Sequence, residues 1–174
     1  VHKGKTIFVG DTSVHEYPSS EQLSEMAISA ARVVRLFGFD PKVAFVSHST
    51  FGQPLTSRTK HIKKAVDILK EKNVDFEFDG DMQPDVALDS DYQSLYPFSK
   101  IVGKANILIM PGQHSAAISY KMMKSLGDTK VIGPLLIGLG LPIEIAPLRS
   151  STSEIINLAS VAAYSADVIK YIKD

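Results

Sequence analysis

Directly behind the apolar run VAFV, the chain reads Ser47-His48-Ser49-Thr50-Phe51-Gly52-Gln53-Pro54. Hydroxyls, an imidazole and a series of backbone N–H groups stand together there, ahead of a helical pattern. Such a group can hold phosphate, because N–H donors and the dipole of a following helix both favour an anion. The same residue types also make a polar turn whose hydroxyls only satisfy the nearby backbone. Spacing alone weighs toward the turn, since no P-loop or dinucleotide fingerprint is present.

Three other stretches bear chemistry-capable side chains. Gly10-Asp11-Thr12-Ser13-Val14 follows an apolar run and either lines a cleft or simply ends a strand. FDGDMQPD gathers Asp79, Asp81 and Asp85, hard oxygen ligands of the kind magnesium takes. Carboxylates adjacent in sequence need not converge in space, however, so a solvated loop is the expectation and no metal site is assigned. His114 in PGQHSAA has no partner identifiable from the sequence, and no acid–base role is assigned to it. His2, His15 and His61 add no zinc-binding spacing.

These residues must be positioned by a chain of 174 residues, long enough for one domain or most of one. Its 19 basic and 19 acidic residues balance to zero charge, which leaves no basic footprint for nucleic acid. Cysteine is absent, so disulfides and thiolate zinc sites are excluded, and a reducing compartment fits. No apolar stretch approaches the ~20 residues that span a bilayer. The opening VHKGKTIFVGD is too weakly apolar for a secretory signal. The expectation is a cytoplasmic protein without membrane or nucleic-acid partners. The first residue is valine, which suggests a piece cut from something longer.

Apolar runs alternate with helical patterns along the chain. Strands are expected at 6–10, 42–47, 74–80, 105–111, 131–138 and 142–146. Helices are expected from about 21 to 37, 57 to 72, 93 to 102, 115 to 126 and 151 to 172. In the first helix, Leu23, Met26, Ala27, Ala30, Val33, Val34 and Phe37 recur at spacings of three and four, which defines one buried stripe. KVAFVS is continuously apolar, as in a strand covered on both faces, whereas VDFEFDG alternates with acids and belongs nearer a sheet edge. Strand alternating with helix predicts an α/β fold with a mostly parallel sheet, in three α/β/α layers. Ligands of such sheets bind beyond the carboxyl ends of the strands, where SHSTFG and PGQHSAA both emerge.

Taken together, several segments resemble one family in order and spacing. They are GDTSVHEYPSSEQLSEMAISAARVVRLFGFDPKVAFVSHSTFG, FDGDMQPDVAL, ANILIMP, AISYKMMKSLGDTKVIGPLLIGLGLPIEIA and SSTSEIINLASVAAYSA. The family is that of the phosphate acetyl/butyryltransferases, which move an acyl group between coenzyme A and phosphate. The resemblance implies a phosphotransacetylase-like sandwich, of the isocitrate/isopropylmalate dehydrogenase-like fold. It covers the later half of the family's two-lobed domain. Residues 1–146 correspond to the second lobe and 147–174 to a helix returning to the first, whose earlier half lies upstream. SHSTFG then matches a serine-rich loop of the form SxSxxG that lines the cleft. Ser47, Ser49, Thr50 and Gly52 fit the form, His48 and Phe51 fall at variable places, and Gln53 departs from the usual small residue. By the same resemblance, Thr12 and Arg149 are further cleft residues for acyl-CoA or phosphate.

The departures from the family are informative. Its active members carry a serine–arginine pair shortly before the last helix and an aspartate at that helix's start. Here Pro147 and Leu148 stand at the pair, with Arg149 one position late, and Glu154 stands at the aspartate. A leucine can neither counter phosphate charge nor take a proton. The pattern resembles most the transferase-like domain that large bacterial NADP-dependent malic enzymes carry behind their catalytic half. That resemblance implies a regulatory acetyl-CoA-binding and oligomer-forming role, with no catalytic residue in this chain. NADP and a divalent metal would serve only the malate-oxidising part. The alternative is an active phosphate acetyltransferase.

Overall fold

In the computed structural model, the described residues are 1, 4–10, 13–127, 129–139 and 141–173, with side chains described through residue 166. Among them, β1 (Phe8–Gly10), β2 (Lys42–Val46), β3 (Glu77–Met82) and β4 (Ile107–Ile109) form one parallel sheet in the order β1-β4-β2-β3. The apolar strands β2 and β4 are central, and the acid-bearing β3 is at an edge, as its alternation predicts.

Local chemistry explains the helices beside the sheet. Helix α1 (Ser20–Leu36) starts at a capping box. The Gln22 N–H donates to the Ser19 hydroxyl at 3.1 Å, and the Ser19 N–H donates back to the Gln22 amide at 2.7 Å. Gly38 ends this helix at φ +80°, a conformation glycine adopts without Cβ strain. Helix α2 (Ser57–Glu71) has an equivalent reciprocal cap between Thr56 and Thr59. It buries Ile62, Ala65, Val66 and Leu69, the stripe its spacing defines.

The strands alternate their side chains between two cores. Val43, Phe45, Ile107 and Ile109 face Leu23, Ala27, Val34, Ile62 and Leu69 of α1 and α2. Ala44, Val46 and Leu108 face the opposite way, with Met82 and with Val86 and Ala87 of α3 (Pro84–Leu88). Ala116 of α5 (Gln113–Leu126) joins this second core. The sheet is therefore covered on both faces. After β2 the chain turns into one layer, and after β4 into the other. In such sheets, ligand crevices are expected at the carboxyl ends of strands whose connections diverge in this way.

Three expectations change. No helix forms over 93–102: the chain instead makes α3 and a single turn, α4 (Ser90–Gln93). Pro97 cannot join a helical ladder, and the Gln93 side chain staples the loop by donating to the Ile101 carbonyl at 3.0 Å. The expected strands at 131–138 and 142–146 form no ladder among the described residues. Pro134 and Pro142 lack the N–H that a ladder requires, and the Leu136 N–H donates to the Glu144 carboxylate at 3.2 Å instead. Partial burial pushes the Glu144 carboxyl above its ordinary range despite that bond.

Helix α6 (Thr152–Lys173) closes the chain and lies against the end of α1. The Tyr164 hydroxyl donates to the Leu36 carbonyl at 2.7 Å, and its ring stacks on Phe37 at 6.1 Å. Among the described residues no helix is long and apolar enough to cross a membrane.

Candidate functional site

The SHSTFG turn leaves β2 at the carboxyl end of the sheet, and its serine and threonine side chains are buried. Ser47, Ser49 and Thr50 are 7, 0 and 7 % exposed, while His48 stands in solvent. The end of β3 receives the turn almost residue by residue. The Ser47 N–H donates to the Met82 carbonyl at 2.9 Å and the Phe51 N–H to the Asp81 carbonyl at 2.6 Å. The Gln83 N–H donates to the Thr50 hydroxyl at 3.2 Å, and the Gln83 side-chain amide donates to the His48 carbonyl at 2.9 Å.

The Asp81 carboxylate, 2 % exposed, is the centre of this arrangement. One oxygen accepts from the Ser49 hydroxyl, and the other accepts the Gly52 N–H at 3.1 Å. The Ser47 hydroxyl accepts the Ser49 N–H at 3.3 Å. Thr50 and Gln53 exchange backbone bonds at 3.3 and 3.1 Å. The N–H groups of residues 49–53 are thus satisfied internally, which corrects the picture of an open row of donors. Phe51, at φ +49°, swings its ring out onto Tyr96 and Phe98, with centroids 5.4 and 4.8 Å away.

The three aspartates of FDGDMQPD diverge rather than forming the solvated loop expected of them. Asp79 is buried and accepts the N–H groups of Gly80 at 2.9 Å and Lys100 at 2.7 Å. Asp85 accepts the Val86 N–H within α3 at 2.9 Å. Asp81 alone turns to the serine loop. Among the described residues, no group of His, Asp or Glu could hold a metal ion. An aspartate is an unfavourable strand residue, so two of them ending an edge strand were the available signal that buried partners existed.

The remaining sequence-derived residues fall apart in space. Thr12 lies outside the described residues. Arg149 is exposed and lines a separate cavity of about 110 Å³ with Lys124, Ile132, Pro147, Glu154 and Asn157. Leu148 projects fully into solvent. Glu154 caps α6, accepting the Ser151 N–H at 2.8 Å, and pairs with Lys124 at 2.7 Å. The Lys124 hydrogen bond, followed by those from Ser151, holds its carboxyl down to about 2. So acidic a group is poorly matched to proton abstraction near neutral pH. His114 has a partner the sequence did not reveal: its Nε2 lies 3.5 Å from the Glu16 carboxylate, and its ring stacks on Tyr17 at 6.5 Å.

Comparison with known proteins bears on this geometry. A family profile described as phosphate acetyl/butaryl transferase matches residues 1–163. The NADP-dependent malic enzyme of Rhizobium meliloti is 46 % identical over 164 residues, covering 94 % of this chain and 22 % of that protein. The phosphate acetyltransferase of Bacillus subtilis is 33 % identical over 157 residues, covering 90 % of this chain and 49 % of that protein. Among solved structures, the EutD phosphotransacetylase from Staphylococcus aureus superposes with a TM-score of 0.88 at 28 % identity. That match covers 95 % of this chain and 52 % of the other. The chain therefore spans between 22 and 52 % of the length of these proteins.

Proposed function

The chain belongs to the phosphate acetyl/butaryl transferase family, and on that premise we propose that it is a regulatory acetyl-CoA-binding domain of a malic enzyme. In this reading the SHSTFG turn and the crevice beside it receive an acyl-CoA or its phosphate groups. The malate-oxidising centre, with NADP and its divalent metal, belongs to another part of the protein. Residues 1–146 act as one lobe of the cleft, and 147–174 return to complete the other. Coupling of ~1–3 kcal/mol between effector and catalytic centre suffices for ordinary regulation.

The observation that carries the reading is the condition of residues 147–154. Proline and an outward-facing leucine stand where active relatives are expected to hold an anion partner. The carboxylate at the position of the expected base is committed to Lys124 and the α6 cap. A fold kept while its charge-stabilising and proton-transfer groups are replaced fits binding better than turnover. The 46 % identity to a malic enzyme points the same way.

The test uses the full-length protein. Acetyl-CoA is expected to raise its melting temperature by mass action and to change the rate of malate oxidation. Ser49→Ala is expected to weaken acetyl-CoA binding without unfolding the protein. Robust acetyl-CoA formation from acetyl phosphate and coenzyme A would instead favour the active acetyltransferase. The similarity to the Bacillus subtilis enzyme keeps that reading in play.

A further inference from the structure

The Asp81 carboxyl is buried, and among the described residues no basic side chain is bonded to it. A buried carboxylate is costly unless hydrogen bonds replace its water. Those bonds come from the serine turn, through the Ser49 hydroxyl and the Gly52 N–H. The dependence runs both ways. Without the carboxylate, the Ser49 hydroxyl and the Gly52 N–H lose their acceptor, and the turn keeps its backbone bonds to β3, its two bonds with Gln83 and the Phe51 ring contacts. Charge-assisted bonds are the stronger kind, so this pair dominates the hold on the turn's inner side.

We infer that Asp81 is the positioning residue of the serine turn, fixing from behind the shape in which the turn meets its anionic ligand. Ser49 then acts through the same link, as the inner end of the pin rather than as a ligand-touching hydroxyl. This rests on the acyl-CoA-binding reading above, and it assigns a role to a residue that the SxSxxG resemblance does not include. The neighbouring carboxylates have other tasks: Asp79 holds the 100 loop, and Asp85 opens α3.

The experiment compares the full-length protein with Asp81→Asn, Ser49→Ala and the double variant. Hydrogen exchange at Phe51 and Gly52 is expected to accelerate in Asp81→Asn about tenfold beyond any change in β2 and β4. Acetyl-CoA affinity should fall about tenfold in Asp81→Asn and less in Ser49→Ala, which leaves the Gly52 bond, with the double variant no worse than Asp81→Asn. Unchanged exchange at residues 51–52 overturns the inference, as do affinity losses that add fully. Should Asp81→Asn fail to fold, Ser49→Ala removes one of the two bonds to Asp81, and exchange at Phe51 and Gly52 is expected to accelerate as the turn loosens around the bond that remains. A parent protein that binds no acetyl-CoA sinks the functional reading, while the exchange comparison still decides the hold of Asp81 on the turn.

Discussion

At the scale of single residues, what matters is where each polar side chain finds its partner. The hydroxyls of Ser47, Ser49 and Thr50 lie inside the turn, and Glu154 is an ion-paired cap rather than a free base. Glu154 offers a direct check. Its carboxyl is held at about 2 against an ordinary 4.5, chiefly by the Lys124 hydrogen bond. A carboxyl whose folded value is depressed contributes stability in full above its unfolded value. That contribution is lost as pH falls from about 4.5 toward 2. A carbon-detected NMR titration should find the Glu154 midpoint near 2, and in Lys124→Ala it should move up toward the ordinary value. A midpoint unmoved by the lysine would mean that the pair does not form in solution.

At the scale of elements, two short-range devices set the geometry of the site. The Ser19 capping box fixes where α1 begins, and Ser19→Ala should cost about 1 kcal/mol in urea unfolding. Strand β3 approaches β2 closely at Gly80, where an added Cβ would sit 2.7 Å from the Phe45 Cβ and 2.8 Å from its carbonyl oxygen. The backbone there is at φ +154°, which side chains rarely adopt. Gly80→Ala is therefore expected to cost about 2–4 kcal/mol, from overpacking and strain combined. Because Gly80 stands between Asp79 and Asp81, the same change should disturb the serine turn. An alanine variant of parent-like stability would mean that β3 can move away from β2 freely.

At the scale of the whole molecule, the core is lopsided. Both faces of the sheet are filled, whereas α5 buries only Ala116, and the described part of α6 only Leu158. Between these helices Ile137, Leu139, Leu141, Ile143 and Ile145 are 42 to 68 % exposed. So many exposed apolar side chains on a chain of zero formal charge leave little to oppose association. The 174-residue chain by itself should bind a hydrophobic dye and self-associate with rising concentration in sedimentation velocity. Leu141→Lys combined with Ile143→Lys should reduce both. Dye binding and association unchanged by the lysines would place the sticky surface elsewhere.

The sequence by itself determined the fold class, the buried stripes of α1 and α2 and the distinction between central and edge strands. Those features follow from periodicity, capping and turn chemistry within a few residues of each other, which any reader of the chain can apply. The same local signals misled at 131–138 and 142–146, where glycine- and proline-interrupted apolar runs suggested strands but a ladder needs N–H groups that the prolines do not supply. Only the tertiary structure decided what the candidate residues do. It set Asp81 against Ser49 and Gly52, 32 and 29 residues away, and put Arg149 in a different cavity beside Lys124. Hydrogen bonds over such separations depend on how strands are ordered in the sheet, and residue types alone carry no record of that order.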